Sequence, residues 1–225
     1  GISAAVELKR LGLDTLVIDR EERVGDNWRH RYHGLKLHNK TPVNHLRYMP
    51  FPPHWPDYIP KDKIANWLEA YVESMEVNFW TRTVFEGAEY DEATQSWLAR
   101  IRRGDGSVRT LRPKHIVMAT SVSGIPNIPK VATIENFAGK VLHSSQFSAG
   151  AEWRGKSVVV MGTGTSAHDI CQELQANGAD VTMVQRSPTL VVNVDPSAQL
   201  YDKTYLGDGP PVEIRDLLNA SVPLE

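Results

Sequence analysis

Ser157-Val158-Val159-Val160-Met161 runs straight into Gly162-Thr163-Gly164-Thr165-Ser166-Ala167. A buried apolar strand followed by Gly-x-Gly-x-x-Ala at the head of a helix suits one task, holding the pyrophosphate of a dinucleotide. The glycines allow a tight turn and a close backbone approach. The small third residue lets strand and helix pack, and the helix N-terminus favours the anion. The candidate contacts are Gly162, Gly164, Thr165 and Ser166. The same glycines would serve a turn in another α/β fold. Here, however, the strand before, the helix over 165–177 and the strand over 180–185 all stand where the mechanism needs them. That second strand ends in Val184-Gln185-Arg186-Ser187. An acid there takes up the ribose hydroxyls of NAD. Arg186, with Ser187 beside it, suits the 2′-phosphate of NADP. A solvated surface arginine is the competing reading.

The N-terminal residues repeat this logic. Ile2, Ala5, Val6, Leu8 and Leu11 fit one helix face, Gly12 fits its C-terminal stop, and Asp14–Asp19 reads as a short buried strand. If Gly1 is the third glycine of such a motif, Asp19 lies 18 residues on, where an acid binds a ribose. The alternative for Asp19 is a turn or cap residue. An acidic first unit and a basic second unit imply two different dinucleotides, and FAD followed by NADPH is the economical assignment. A helix leading into a parallel strand normally follows an earlier strand. A preceding strand is therefore expected outside these residues, and the C-terminal side reads as incomplete too.

Several elements must position these motifs. Residues 21–60, rich in Gly, Pro, His, Tyr and Trp, read as a long irregular connection. Pro60 and apolar residues at 64, 67, 68, 71, 72 and 75 predict a helix over 61–75. Strands at 84–89, 97–102 and 108–111, with turn residues between, predict a β-meander. His115–Thr120 reads as a strand buried on both faces. Gly124, Pro126 and Pro129 then punctuate the chain. The expected fold is α/β, with two Rossmann-like dinucleotide-binding units and a small β-meander. The expected division is an FAD-binding domain over 1–125 and an NADP-binding domain over 126–225. No clear periodicity marks the residues after 187.

Composition narrows the function class. The chain has 225 residues, a formal net charge of −2, 41% hydrophobic and 23% charged residues. That balance is ordinary for a soluble globular protein. It gives no reason to expect nucleic acid or an acidic membrane as partner. No apolar run of about 18 residues indicates a transmembrane span. Cys171 is the single cysteine. It excludes an internal disulfide or a two-cysteine redox centre, and makes a reducing, cytoplasmic setting the default. The histidines show no metal-ligand spacing, so no metal is expected.

Phe137-Ala138-Gly139-Lys140-Val141-Leu142-His143-Ser144-Ser145-Gln146-Phe147 matches F-x-G-x-x-x-H-x-x-x-[FY] at every fixed position. This is the fingerprint of the flavin-containing monooxygenases, and the chain resembles that family over nearly its whole length. Gly25-Asp26-Asn27-Trp28 is similar to the family's Gly-Gly-x-Trp segment, with Asp26 in place of the second glycine. Tyr32-His33-Gly34-Leu35-Lys36-Leu37-His38 resembles the Tyr-x-x-Leu-x-Leu-His of plant YUCCA-type enzymes and fungal relatives. Phe51-Pro52-Pro53-His54-Trp55-Pro56 is similar to a family Phe-Pro turn. The resemblance implies FAD contacts at Gly25, Asn27, Trp28, His38, Val84, Ala119 and Thr120. It departs at Ser121, where the family often has glycine after Ala-Thr. His38 and its neighbour Asn39 fall where the animal enzymes face an Asn to the flavin. They are the catalytic candidates, or pocket-lining residues, and His38 reads equally as a structural histidine. His143 is expected to shape the link between the domains.

The implied chemistry is reduction of FAD by NADPH, formation of a flavin hydroperoxide with O2, and oxygen transfer to a small substrate. That substrate is an amine or sulfide, or a carbonyl such as a 2-oxo acid. A Baeyer–Villiger oxygenase shares the fingerprint, usually with Trp where Phe147 stands. A non-catalytic nucleotide-binding fragment is the third reading. A disulfide reductase shares the paired units but needs a second cysteine.

Overall fold

The computed structural model describes residues 1–41, 44–121, 124–191, 204–205 and 207–221. Helix α1 (Ile2–Arg10) buries Ala5 and Val6, and Lys9 and Arg10 in its last turn complement the helix dipole. Lys9 Nζ donates to the Met75 and Glu76 carbonyls at 3.2 and 2.9 Å, tying α1 to the end of α3 (Lys61–Ser74). The strand expected over 14–19 reduces to two ladder residues, β1 (Val17–Ile18). They pair in parallel with β2 (Phe79–Trp80). Between them lies the single-turn helix α2 (Asp26–Arg29).

The meander forms in the expected places. Strands β3 (Thr83–Asp91), β4 (Ser96–Arg103) and β5 (Val108–Leu111) make an antiparallel sheet in that order. The second dinucleotide unit is β6 (Ser157–Met161), α4 (Thr165–Ala176) and β7 (Asp180–Val184). Its strands run parallel, in register from Ser157↔Asp180 to Met161↔Val184. They bury one face rather than two. Val158, Val160 and Val181 pack against Ile170 and Leu174 of α4, while Val159 and Met161 are exposed.

Two expectations fail. Residues 115–120 form no strand, and Val117 and Met118 are 64% and 65% exposed. A strand needs a neighbour to complete its ladder, and no described strand lies beside this segment. Conversely, helix α5 (Val212–Ala220) stands where no periodicity was read. Its Val212, Ile214, Leu217 and Leu218 are exposed, so no buried stripe marks it.

The irregular connection over 21–60 joins two cores. Phe51 and Ile59 pack with Val6, Ile64, Trp67 and Tyr71, with Trp28 and Leu37 against them. Tyr32 packs with Phe147, Ile170 and Leu174, with Leu35 alongside. Leu37 N donates to Ile59 O and Lys61 N to Leu35 O, at 2.9 and 3.0 Å, holding the middle of the connection to the start of α3.

Helices α2 and α3 are joined by charge. Arg29 donates to Asp26 Oδ1 and Glu69 Oε2, both at 2.9 Å, and Arg23 donates to both oxygens of Glu69. Burial pushes the Asp26 carboxyl up, but bonds from Arg29 and the Arg23 amide and the nearby His30 and Arg29 charges hold it below its ordinary value. The Arg23 hydrogen bond, against burial, holds Glu69 low too. Both carboxyls bind protons less readily folded than unfolded. Their stabilisation is therefore complete at neutral pH and is lost as pH falls through the lowered values, below about pH 4. Urea unfolding at pH 6 and pH 3 should reveal that loss, and Glu69→Gln should shrink the difference.

Candidate dinucleotide and flavin site

The glycine turn of the second unit is shaped for an anion. Gly162 has φ +115°, a conformation that favours glycine, and a Cβ at Gly162 or Gly164 would meet nothing within 4 Å. The turn therefore faces open space ahead of α4. Gly164 caps α4 without a side-chain bond, and no acid stands in its first turn to compete with a ligand. Gly162 N donates to Val184 O at 2.8 Å, and Thr163 Oγ1 meets Thr189 Oγ1 at 2.5 Å. These bonds hold Val184 and Thr189 to the turn, and Arg186 and Ser187 lie between them in the chain. Both are exposed, and Arg186 makes no ion pair among the described residues. The exposed residues that could hold a dinucleotide here are Gly162, Gly164, Thr165 and Ser166 at the turn and Arg186 and Ser187 after β7.

The candidates of the first unit sit on several elements. A Cβ at Gly1 would lie 3.4 Å from Ala119 Cβ, so α1 starts against the Ala119-Thr120 segment. Asp19 closes β1, its amide on Trp80 O and its carbonyl accepting from Thr83 N at 2.8 Å, which sets exposed Val84 nearby. Asp19 Oδ1 also accepts from Glu21 N at 3.0 Å, so the turn role is present alongside any ribose role. Gly25 caps α2 at φ +89°, where a Cβ would sit 2.5 Å from Ala65 O. Its need is thus partly the close approach of α2 and α3. Asn27 is exposed and Trp28 half-buried against the first core.

Ser121 explains its family counterpart. It has φ +63°, in the left-handed region, which a glycine enters freely and a residue with Cβ enters at a cost of about 1–2 kcal/mol. Ser121→Gly should raise stability by about 0.5–1 kcal/mol, allowing for the extra freedom glycine gives the unfolded chain. Denaturant midpoints at constant slope measure it.

His38 points to the second unit. Its Nε2 lies 3.0 Å from Asp169 Oδ2 on α4, and the Tyr32 hydroxyl donates to the same oxygen at 2.6 Å. One helical turn on, Glu173 accepts from Gly34 N and Gly150 N, each at 3.0 Å. Asn39 is exposed, and its carbonyl accepts from the Asn44 amide. Asp169, Glu173 and Tyr32 were not among the candidates read from the sequence. The available signal was the pair of acids four apart, each just before a buried residue, Ile170 or Leu174. Glu173→Ala should cost about 1–3 kcal/mol, mainly because the part-buried Gly150 amide loses its acceptor. Chemical unfolding reads it directly.

The fingerprint segment is structural. His143 caps a 3-10 turn (Ser144–Gln146), its Nδ1 accepting from Ser145 N while Gln146 Oε1 accepts from His143 N. Phe147 is buried against Tyr32, ring centroids 6.4 Å apart. Glu21, Asp26 and His30 bring possible ligand atoms within 4.8 Å of one another. Asp26 is already engaged by Arg29 and the Arg23 amide, so the cluster reads as part of the ion-pair network.

A helix–strand unit and a strand–helix–strand unit, each with a glycine at the head of its helix, and a meander between them define a doubled dinucleotide-binding α/β protein of Rossmann type. The family model for pyridine nucleotide-disulphide oxidoreductases matches residues 1–205, and the chain belongs to that family. It is 31% identical over 193 residues to indole-3-pyruvate monooxygenase YUCCA1 of Oryza sativa subsp. japonica, covering 85% of this chain and 47% of that protein. The chain thus spans about half the length of that curated relative. A flavin-containing monooxygenase from Stenotrophomonas maltophilia shares the fold with a TM-score of 0.77 at 21% identity, over 99% of this chain and 66% of that one. OTEMO in complex with FAD and NADP does so with a TM-score of 0.69 at 23% identity, over 84% and 37%. Disulphide chemistry, present in the family's name, has no second thiol among these residues, and burial pushes the Cys171 thiol up. No helix among the described residues is long and apolar enough to cross a membrane.

Proposed function

We propose that the protein carrying these residues is an FAD- and NADPH-dependent monooxygenase that places one oxygen atom of O2 on a small organic substrate. The observation that carries this reading is the open glycine turn before α4, with Arg186 in the stretch between two residues bonded to it, in the same chain as a first unit whose β1 ends in Asp19. In this reading residues 1–125 hold FAD and residues 126–225 hold NADP. The structural likeness to a protein solved with FAD and NADP supports the pairing. Bound FAD would supply hydride acceptance from NADPH and activation of O2.

The chain's own residues bind and orient. Backbone N–H groups at Gly164, Thr165 and Ser166 take the pyrophosphate, and Gly162, whose own N–H is held by Val184, lets the turn pass close to it. Arg186 and Ser187 take the 2′-phosphate and so select NADP over NAD. Gly1 at the start of α1, Asp19, Val84 and the Ala119-Thr120 segment line the first dinucleotide, with Gly25, Asn27 and Trp28 beside it. His38 has its Nε2 committed to Asp169, so we assign it to holding its loop rather than to proton transfer. The substrate class is an amine or sulfide, or a carbonyl such as a 2-oxo acid. The rice relative's name carries a 2-oxo acid, which favours the latter. Phe147, where a Baeyer–Villiger oxygenase usually has Trp, weighs against that neighbouring reading.

NADPH added without oxygen to protein incubated with FAD should bleach the visible flavin band. NADP⁺ should bind more tightly than NAD⁺, and Arg186→Ala should weaken NADP⁺ binding by about 10- to 100-fold with little change for NAD⁺. Protein that stays colourless with FAD and shows no preference for NADP⁺ overturns the reading.

A further inference from the structure

Two hydrogen bonds tie the stretch after β7 to the glycine turn, one at each end. Gly162 N donates to Val184 O at 2.8 Å, and Thr163 Oγ1 meets Thr189 Oγ1 at 2.5 Å. Gly162 and Thr163 are adjacent in the turn, so residues 184–189 form a short loop closed on two neighbouring residues. Packing does not hold this loop, because residues 184–191 are all exposed. Among the described residues no other hydrogen bond reaches 185–188. The sequence stiffens the loop from within. Pro188 fixes its own φ and keeps Ser187 in extended backbone. Arg186 and Ser187 therefore lie in a stretch anchored at both ends and restricted in its second half.

We infer that Thr163 and Thr189 are positioning residues for nucleotide selectivity. Their hydroxyl–hydroxyl bond holds the loop that carries Arg186, and with it the preference for a nucleotide bearing a 2′-phosphate over one with a free 2′-hydroxyl. An arginine on a loose loop must have its backbone ordered when it meets a phosphate, and that lost entropy opposes binding. The threonine pair orders the loop before the ligand arrives, so Arg186 meets the phosphate at a smaller entropic cost. A nucleotide without the 2′-phosphate makes no use of Arg186 and gains nothing from the pair. Neither threonine hydroxyl needs to touch the ligand for this. The inference rests on the NADP reading of residues 162–187 and deepens it.

Calorimetric titration of the full chain and its variants with NADP⁺ and with NAD⁺ tests it. Valine has the shape of threonine without the hydroxyl, and serine keeps the hydroxyl. Thr189→Val should weaken NADP⁺ binding by about 2- to 10-fold, the worth of one neutral hydrogen bond, and leave NAD⁺ binding unchanged. Thr189→Ser should bind NADP⁺ as the unmodified chain does. Thr189 is exposed, so neither change disturbs a core. Thr189→Val added to Thr163→Val, or to Arg186→Ala, should have no further effect, because the bond or the group it positions is already gone. NADP⁺ bound equally well by Thr189→Val and the unmodified chain overturns the inference alone. So does an equal loss for both nucleotides, which marks general support of the turn. A loss that persists in the Arg186→Ala background, or a Thr189→Ser chain that binds as weakly as Thr189→Val, overturns it as well. An unmodified chain with no preference for NADP⁺ over NAD⁺ overturns the NADP reading and the inference together.

Discussion

One face of α4 holds the two halves of this structure to each other. Asp169 and Glu173, four residues apart, present carboxylates to a loop that begins more than a hundred positions earlier in the chain. Ile170 and Leu174, next to them, supply the apolar floor on which Tyr32 and Phe147 rest. Hydrogen bonding and burial reinforce one another here. The apolar packing keeps water from the Tyr32 hydroxyl, and the low local dielectric strengthens its bond to Asp169. A half-buried carboxylate left without those donors would lose charge-assisted bonds, so the loop and the helix need one another.

That constraint gives the irregular connection its purpose. A stretch of this length without regular structure must find partners for its backbone groups or remain in water. It finds them on the start of α3, through Leu35 and Leu37, and on α4, through Gly34. Its aromatic residues divide between the two cores, Phe51 going to the first and Tyr32 to the second. The helix that bears the glycine turn is thereby fixed against the segment that also carries the flavin-side candidates.

Much of this was legible beforehand. The meander, α1, α3 and the β6–α4–β7 unit follow from local periodicity and turn residues, which act over a few positions. The glycine turn was legible because its geometry is built from the residues that spell it. The segment over 115–120 was misread because apolar composition states a wish for burial without saying whether a neighbouring strand is present. Helix α5 does carry apolar residues at helical spacing, Ile214, Leu217 and Leu218, but they stay exposed and the stripe is only two turns long. Ser121 could be seen to depart from the family pattern, but its left-handed backbone could not.

The sequence by itself determined the two dinucleotide units, the acidic and basic ends of their second strands, and the family, because each depends on residues close together in the chain. Only the tertiary structure decided what the candidate residues do to one another. From sequence, His38 fits a flavin-pocket residue and a structural one equally well. The fold puts it on Asp169, with Tyr32 on the same oxygen. No local pattern encodes that meeting, because hydrogen bonds between residues 131 and 137 positions apart exist only once packing has brought the loop onto the helix.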